Sequence, residues 1–237
     1  MKILGLDSSG LVATVAVVED ETLLAEYTVN YKKTHSQTLL PMLDEIAKMI
    51  ELDLTAIDAI AVAGGPGSFT GLRIGSATAK GLGLALKKPL VHIPTVEGLA
   101  YNLWGTDKLV CPLMDARRNQ VYTGIYAFEN GRLQVLEDQM AVDVSLVAEK
   151  LNAIGKAVIF LGDGVPVYRE LVKTLMQVPY EFAPAHLNKQ RAAAVATLAL
   201  EYVRQGRTET ATEHQPDYLR LSQAERERMA KEKEEKA

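Results

Sequence analysis

Between Gly64 and Gly83 the chain runs GGPGSFTGLRIGSATAKGLG, and no other stretch narrows the possible folds so far. Gly64, Gly65 and Gly67 can take positive φ, so the backbone there can turn sharply and approach a neighbour closely. Thr70 then stands at an N-cap position ahead of an apolar periodic run, which predicts a helix. In that helix Gly71, Gly75, Ala79 and Gly83 recur every fourth residue, placing four side-chain-poor positions on one face. A helical glycine costs about 1 kcal/mol relative to alanine. A soluble helix that accepts this cost needs a phosphate at the loop or another helix along the stripe.

The loop fails both common phosphate fingerprints. A Walker A loop ends in Gly-Lys-Ser/Thr, whereas Gly71 is followed by Leu72 and Arg73. A dinucleotide fingerprint needs a third glycine where Gly65-Pro66-Gly67 continues as Ser68, Phe69 and Thr70. Packing is the better reading of the pattern.

Around this stretch strands and helices alternate. Lys2–Leu6 and Ala13–Val18 predict strands flanking the turn Asp7-Ser8-Ser9-Gly10, and Thr22–Val29 a third. A helix follows with Leu39, Leu43 and Ile46 on one face, and Pro41 predicts that it starts near Thr38 or kinks early. Ile57–Ala63 is a buried-type strand, Leu90–Ile93 another, and Val96–Leu103 a helix. From Leu109 the pattern restarts: a strand to Asp115, the turn Ala116–Asn119, a strand over Gln120–Phe128 and an acidic turn. Superimposing Asp7 on Asp115 matches strand, polar turn and strand, as a duplicated α/β unit would. Helices over Leu146–Ala153, Val167–Leu175 and Arg191–Arg204, a strand over Ala157–Leu161 and an extended Pro216–Arg220 complete the pattern. Two units follow, 1–105 and 106–220, the last helix of the second able to pack back on the first. Residues 221–237 make a charged tail, helical or disordered.

With 48% hydrophobic residues the chain has enough apolar surface for a substantial core. Net charge is −4 with no basic block in the folded portion, which argues against gripping nucleic acid alone. The single cysteine, Cys111, excludes an internal disulfide framework. No apolar run reaches the ~18 residues that span a membrane. The expectation is a soluble, cytoplasmic protein.

Catalytic patterns are missing. His35, His92, His186 and His214 include no i, i+4 pair, there is no G-x-S-x-G elbow, and Cys111 sits in an apolar strand. Asp7 with Ser8 and Ser9 suits a hydrated cation or phosphate, but an Asx-type turn explains the pattern as well. The same choice applies to Asp115 with Arg117 and Arg118.

The ordered set Ile3–Ser9, Thr34-His35-Ser36, Gly65–Gly75, Ala79–Leu82, Asp115-Ala116-Arg117, Val121-Tyr122 and Tyr218-Leu219-Arg220 resembles the bacterial TsaB (YeaZ) family over residues 1–220. The resemblance implies an α/β fold of the actin/Hsp70/sugar-kinase (ASKHA) type, with two related subdomains built on duplicated ribonuclease H-like units. It implies a non-catalytic scaffold or activator subunit in forming N6-threonylcarbamoyladenosine on tRNA, beside a TsaD-type transferase and, through the complex, a TsaE-type ATPase. Contact with tRNA is then only indirect, and no cofactor is expected. The catalytic relative binds metal through two histidines after its glycine motif; aligning on Glu97-Gly98 puts Thr95 and Leu99 there. Neither side chain can replace an imidazole at a divalent metal, so no metal site is expected at those positions. The family's association surface, for a homodimer or the transferase, maps onto Leu39, Leu43, Ile46, Gly71, Arg73, Gly75, Ala79 and Gly83, part of each face also packing inside the subdomain. A vestigial nucleotide cleft would involve Asp7, Ser8, Ser9, Asp115 and Arg117. The alternative is an active nucleotide-dependent phosphotransferase or metallohydrolase of the same fold.

Overall fold

A computed structural model describes residues 1–31 and 35–220. β1 (Lys2–Asp7), β2 (Ala13–Glu19) and β3 (Thr22–Val29) form an antiparallel meander. β4 (Ala59–Gly65) and β5 (Leu90–Pro94) then add parallel to β1, giving the order β3-β2-β1-β4-β5. β4 is AIAVAGG and buried at every residue, as a central parallel strand covered on both faces should be. Two helices make the crossovers: α1 (His35–Met49) precedes β4 and α2 (Phe69–Leu86) joins β4 to β5.

A short helix, α3 (Thr95–Ala100), leads into the second unit. There β6 (Leu109–Pro112), extended by β7 (Met114–Asp115), is followed by β8 (Gln120–Glu129) and β9 (Arg132–Asp143). Next come α4 (Val144–Ile154), β10 (Val158–Leu161), α5 (Val165–Leu175) and β11 (Tyr180–Phe182). The strands lie in the order β9-β8-β6-β10-β11, with β8 antiparallel to both neighbours and β10 parallel to both of its own. Strand for strand this repeats the first sheet, so the duplication is one of topology although little sequence identity survives.

α6 (Ala192–Arg204) then returns to the first sheet. Val195, Ala196 and Ala199 pack with Ile3, Val18 and Ala61 in one apolar cluster. The approach is close: a Cβ on Gly5 would fall 2.6 Å from Ala192 O. Glu26 of β3 receives the Ala193 N–H at 3.0 Å and pairs with Arg191, setting a carboxylate at the positive end of the helix. The opposite face of the sheet is covered by Leu39, Met42, Leu43 and Ile46 of α1 and by Ala79 of α2.

Four local expectations change. α2 is capped by Ser68, whose Oγ accepts the Gly71 N–H at 3.4 Å, so the helix starts before Thr70. α1 starts at His35 and runs through Pro41 to Met49. Strand β9 was not expected: its exposed Val135 and Leu136 are adjacent while Gln134, Glu137 and Gln139 are half-buried, which breaks the alternation of an edge strand. The segment Pro216–Arg220 forms no strand but lies across the glycine loop. Thr34 and the tail 221–237 lie outside the described residues.

Candidate functional site in the cleft between the sheets

The ends of β1, β4, β6 and β10 face one another across a cavity of about 610 Å³. Ser9, Gly67, Ser68 and Thr70 line it from the first unit, and Asp115, Arg117 and Asp163 from the second. The two turns that open onto it are built alike. Ser9 N–H donates to Asp7 Oδ1 at 2.8 Å, and Arg117 N–H donates to Asp115 Oδ1 at 2.8 Å. Each is an Asx turn, so both carboxylates bond first to their own backbone. Ser9 Oγ adds a second bond to Asp7 Oδ1 at 2.6 Å.

Beyond that shared turn the two aspartates differ. Asp7 is buried, and burial outweighs the Ser9 hydrogen bonds and the nearby His35, pushing its carboxyl up to about 6. Asp115 is exposed and takes Tyr168 O–H at 3.1 Å. Asp163, whose carboxylate accepts the Asp115 N–H at 3.2 Å, is also raised by burial. Of the five expected cleft residues, Ser9, Asp115 and Arg117 reach the cavity; Asp7 and Ser8 lie behind it. Ser8 Oγ is committed to Gly71 O at 2.9 Å.

A strap of residues 217–220 closes one side of the cavity. Asp217 N–H donates to Gly64 O at 2.7 Å, and Tyr218 packs its ring 4.5 Å from that of Phe69. Arg73 lies over the Phe69 ring, 4.1 Å from its centroid, and its Nε donates to the Tyr218 hydroxyl at 3.4 Å. Arg220 reaches the second unit by donating to Ala116 O. The strap thus ties the glycine loop of one unit to the Asp115 turn of the other.

The small-residue stripe of α2 faces inward. A Cβ on Gly71 would fall 2.0 Å from Ser8 O, one on Gly75 2.7 Å from Ser8 Oγ, and one on Gly83 2.9 Å from Leu90. Ala79, Leu39, Leu43 and Ile46 are equally buried in the first unit's core. Of the eight expected interface residues only Arg73 is exposed. The outward face of α2 carries Thr70, Arg73, Ala77, Gly81 and Leu84 instead.

Thr95 and Leu99 are buried on α3. Thr95 Oγ1 accepts the Gly65 N–H at 3.1 Å, and Leu99 packs with Val96, Val110 and Tyr126. A divalent cation finds no ligand in either side chain. Beside them the sequence hid a buried polar pair: Tyr202 O–H donates to Glu97 Oε2 at 2.5 Å, joining α3 to α6. Burial raises Glu97, against the hydrogen bond that lowers it. Cys111 is fully buried with its thiol pushed up to about 12, so it packs as a small hydrophobe.

Two ribonuclease H-like units facing each other across a cleft define a two-lobed α/β protein of the ASKHA class. Its fold is shared with an inorganic polyphosphate/ATP-glucomannokinase from Arthrobacter sp. strain KM, at a TM-score of 0.51 and 11% identity over 86% of this chain and 99% of that one. Residues 22–228 match the family model described as TsaD: tRNA N6-adenosine threonylcarbamoyltransferase. The chain is 33% identical to the tRNA threonylcarbamoyladenosine biosynthesis protein TsaB of Bacillus subtilis, over 95% of this chain and 96% of that protein. It also superimposes on YeaZ from Pseudomonas aeruginosa with a TM-score of 0.80 at 27% identity, covering 92% of this chain and 99% of that one. The chain belongs to the TsaB family. Among the described residues no helix is long and apolar enough to cross a membrane.

Proposed function

We propose that this chain is a non-catalytic scaffold and activator subunit, cytoplasmic, of the machinery that forms N6-threonylcarbamoyladenosine on tRNA. The observation that carries the non-catalytic reading is the commitment of Thr95 and Leu99. One holds the Gly65 backbone and the other fills the core, where the transferase would need two metal-binding imidazoles. Asp7 adds to it, since its carboxylate is turned into its own loop and away from the cavity.

The partner is a TsaD-type transferase, or a second copy of this chain, docking on the outward faces of α1 and α2. Gly81 supports this placement. It sits mid-helix with no atom of another element within 4 Å of a built Cβ, so nothing inside the subdomain accounts for its cost of about 1 kcal/mol. Leu40 and Leu84 flank the region, 53% and 62% exposed. A TsaE-type ATPase then joins through the complex, and tRNA contacts the assembly chiefly through other subunits.

The test is depletion of this protein followed by mass spectrometry of tRNA nucleosides. Loss of threonylcarbamoyladenosine is expected, together with no transfer by the purified chain alone. Retention of the modified nucleoside refutes the role, and turnover by the chain alone refutes the non-catalytic reading. The 610 Å³ cavity keeps a phosphotransferase as the second reading. ATP hydrolysis by the isolated chain that survives every change on α1 and α2 would favour it.

A further inference from the structure

A cluster of imidazoles and carboxylates lies outside the cleft machinery, where the chain's last segment meets β5. His92 is on β5, two residues past Leu90, which forms a two-way backbone bridge with Glu209: Leu90 N–H to Glu209 O at 2.8 Å and Glu209 N–H to Leu90 O at 2.9 Å. His214 is held by its own backbone, with N–H donating to Thr210 O at 3.1 Å and O accepting from Lys80 Nζ at 2.9 Å. These anchors fix three side chains about one point. One donor atom from each of His92, Glu209 and His214 lies within 4.8 Å of the other two.

The hydrogen bonding of the cluster is incomplete in a particular way. His214 is fully buried, and its Nδ1 meets Glu209 Oε1 at 2.6 Å. That bond places the ring proton on Nδ1 and leaves a lone pair on Nε2, which is buried with no partner. His92 Nε2 is likewise buried and without a hydrogen bond. Asp217 Oδ2 lies 3.3 Å from it without the alignment of one. A buried imidazole nitrogen with a free lone pair is the group a divalent transition metal takes.

We propose that His92, Glu209 and His214, with one donor atom each, bind a divalent transition-metal cation of the zinc type. Two imidazoles and a carboxylate suit zinc over magnesium or calcium, which prefer oxygen throughout. The site is distinct from the Thr95 and Leu99 positions and involves no reaction: it staples the segment 209–217, and so the strap, to β5. Gly64 fits this placement, since its missing side chain makes room for the His92 ring, 2.1 Å from a built Cβ.

The experiment uses the full chain without a histidine tag, dialysed against chelator and titrated with zinc chloride by calorimetry and with cobalt(II) by visible absorption. Binding of one equivalent is expected, with the intense d–d bands of four-coordinate cobalt and a Tm rise of about 5 °C at ~100-fold excess over Kd. Glu209→Gln and His92→Asn are expected to weaken zinc at least tenfold, and His186→Asn not at all. No binding by the wild-type chain, or binding by Glu209→Gln and His92→Asn equal to that of the wild type, overturns the proposal. If His92→Asn fails to fold, a shift of the His92 and His214 Nε2 resonances on adding zinc to the wild type decides it, and unshifted resonances overturn it.

Discussion

Three glycines of one helix, changed singly to alanine, separate inward packing from outward docking. Alanine gains about 1 kcal/mol in helix propensity at each site, so any difference among the variants is steric. At Gly81 a built Cβ meets nothing within 4 Å, and the full gain of about 1 kcal/mol is expected. At Gly75 the obstacle is Ser8 Oγ at 2.7 Å, a hydroxyl that can rotate away at the loss of its bond to Gly71 O. Losing that bond costs about 1 kcal/mol, so the net change is near zero. At Gly71 the obstacle is the Ser8 carbonyl oxygen at 2.0 Å, which cannot rotate, so backbone has to shift by more than an ångström. Overpacking of that kind costs about 1–3 kcal/mol or more, and the shift disturbs the neighbouring turn, where Ser68 N–H donates to Ser9 O at 2.7 Å. Urea unfolding followed by circular dichroism is expected to rank stability as Gly81→Ala above wild type, Gly75→Ala close to it, and Gly71→Ala lowest. Equal stability of Gly71→Ala and Gly81→Ala refutes the inward orientation of the stripe.

Asp7 links stability to pH. Its carboxyl rises from 3.8 to about 6 on folding, so the native state holds the extra proton and stability falls as pH climbs from about 4 through 6. That gap corresponds to about 3 kcal/mol. Asp7→Asn keeps an oxygen for the Ser9 donors and removes the charge, so its advantage over wild type is expected to grow by about that amount between pH 4 and pH 7.5. A pH-independent difference in urea midpoints contradicts the burial argument. Tyr202→Phe strips buried Glu97 of its donor and is expected to cost about 1–3 kcal/mol in thermal unfolding; no loss means that water reaches the carboxylate. Ala77→Arg and Leu84→Arg place bulk on the outward face of α2 and are expected to abolish self-association and transferase co-purification while leaving Tm unchanged. Unaltered size-exclusion profiles remove α2 from the interface.

Much of the fold was legible because its signals are local. Valine-rich runs bounded by Asp-Ser-Ser-Gly and Glu-Asn-Gly mark strands and turns, and the Asp7 and Asp115 turns match to the hydrogen bond. The direction of the α2 stripe was not legible. Glycine and alanine carry no hydrophobic contrast, so periodicity shows that a close approach occurs without telling which side makes it. Leu39, Leu43 and Ile46 gave the opposite lesson, because an apolar face at helical spacing first of all covers its own sheet. β9 escaped because Val135 and Leu136, side by side and both exposed, break the period of two. The cluster of His92, Glu209 and His214 joins positions over a hundred residues apart, brought together by the bridge between Leu90 and Glu209 and by the bond from Lys80 to His214 O.

The return of α6 to the first sheet sets a timetable for the nascent chain. β1 through β5 are complete once Pro94 has emerged, yet the helix that covers Ile3, Val18 and Ala61 begins only at Ala192. Translation adds about 5–20 residues per second, so the ribosome carries a five-stranded sheet with one bare apolar face for roughly 5–20 seconds. During that interval the first half depends on whatever shields an exposed sheet in the cell. A ribosome stalled between the two units would release a species primed to aggregate.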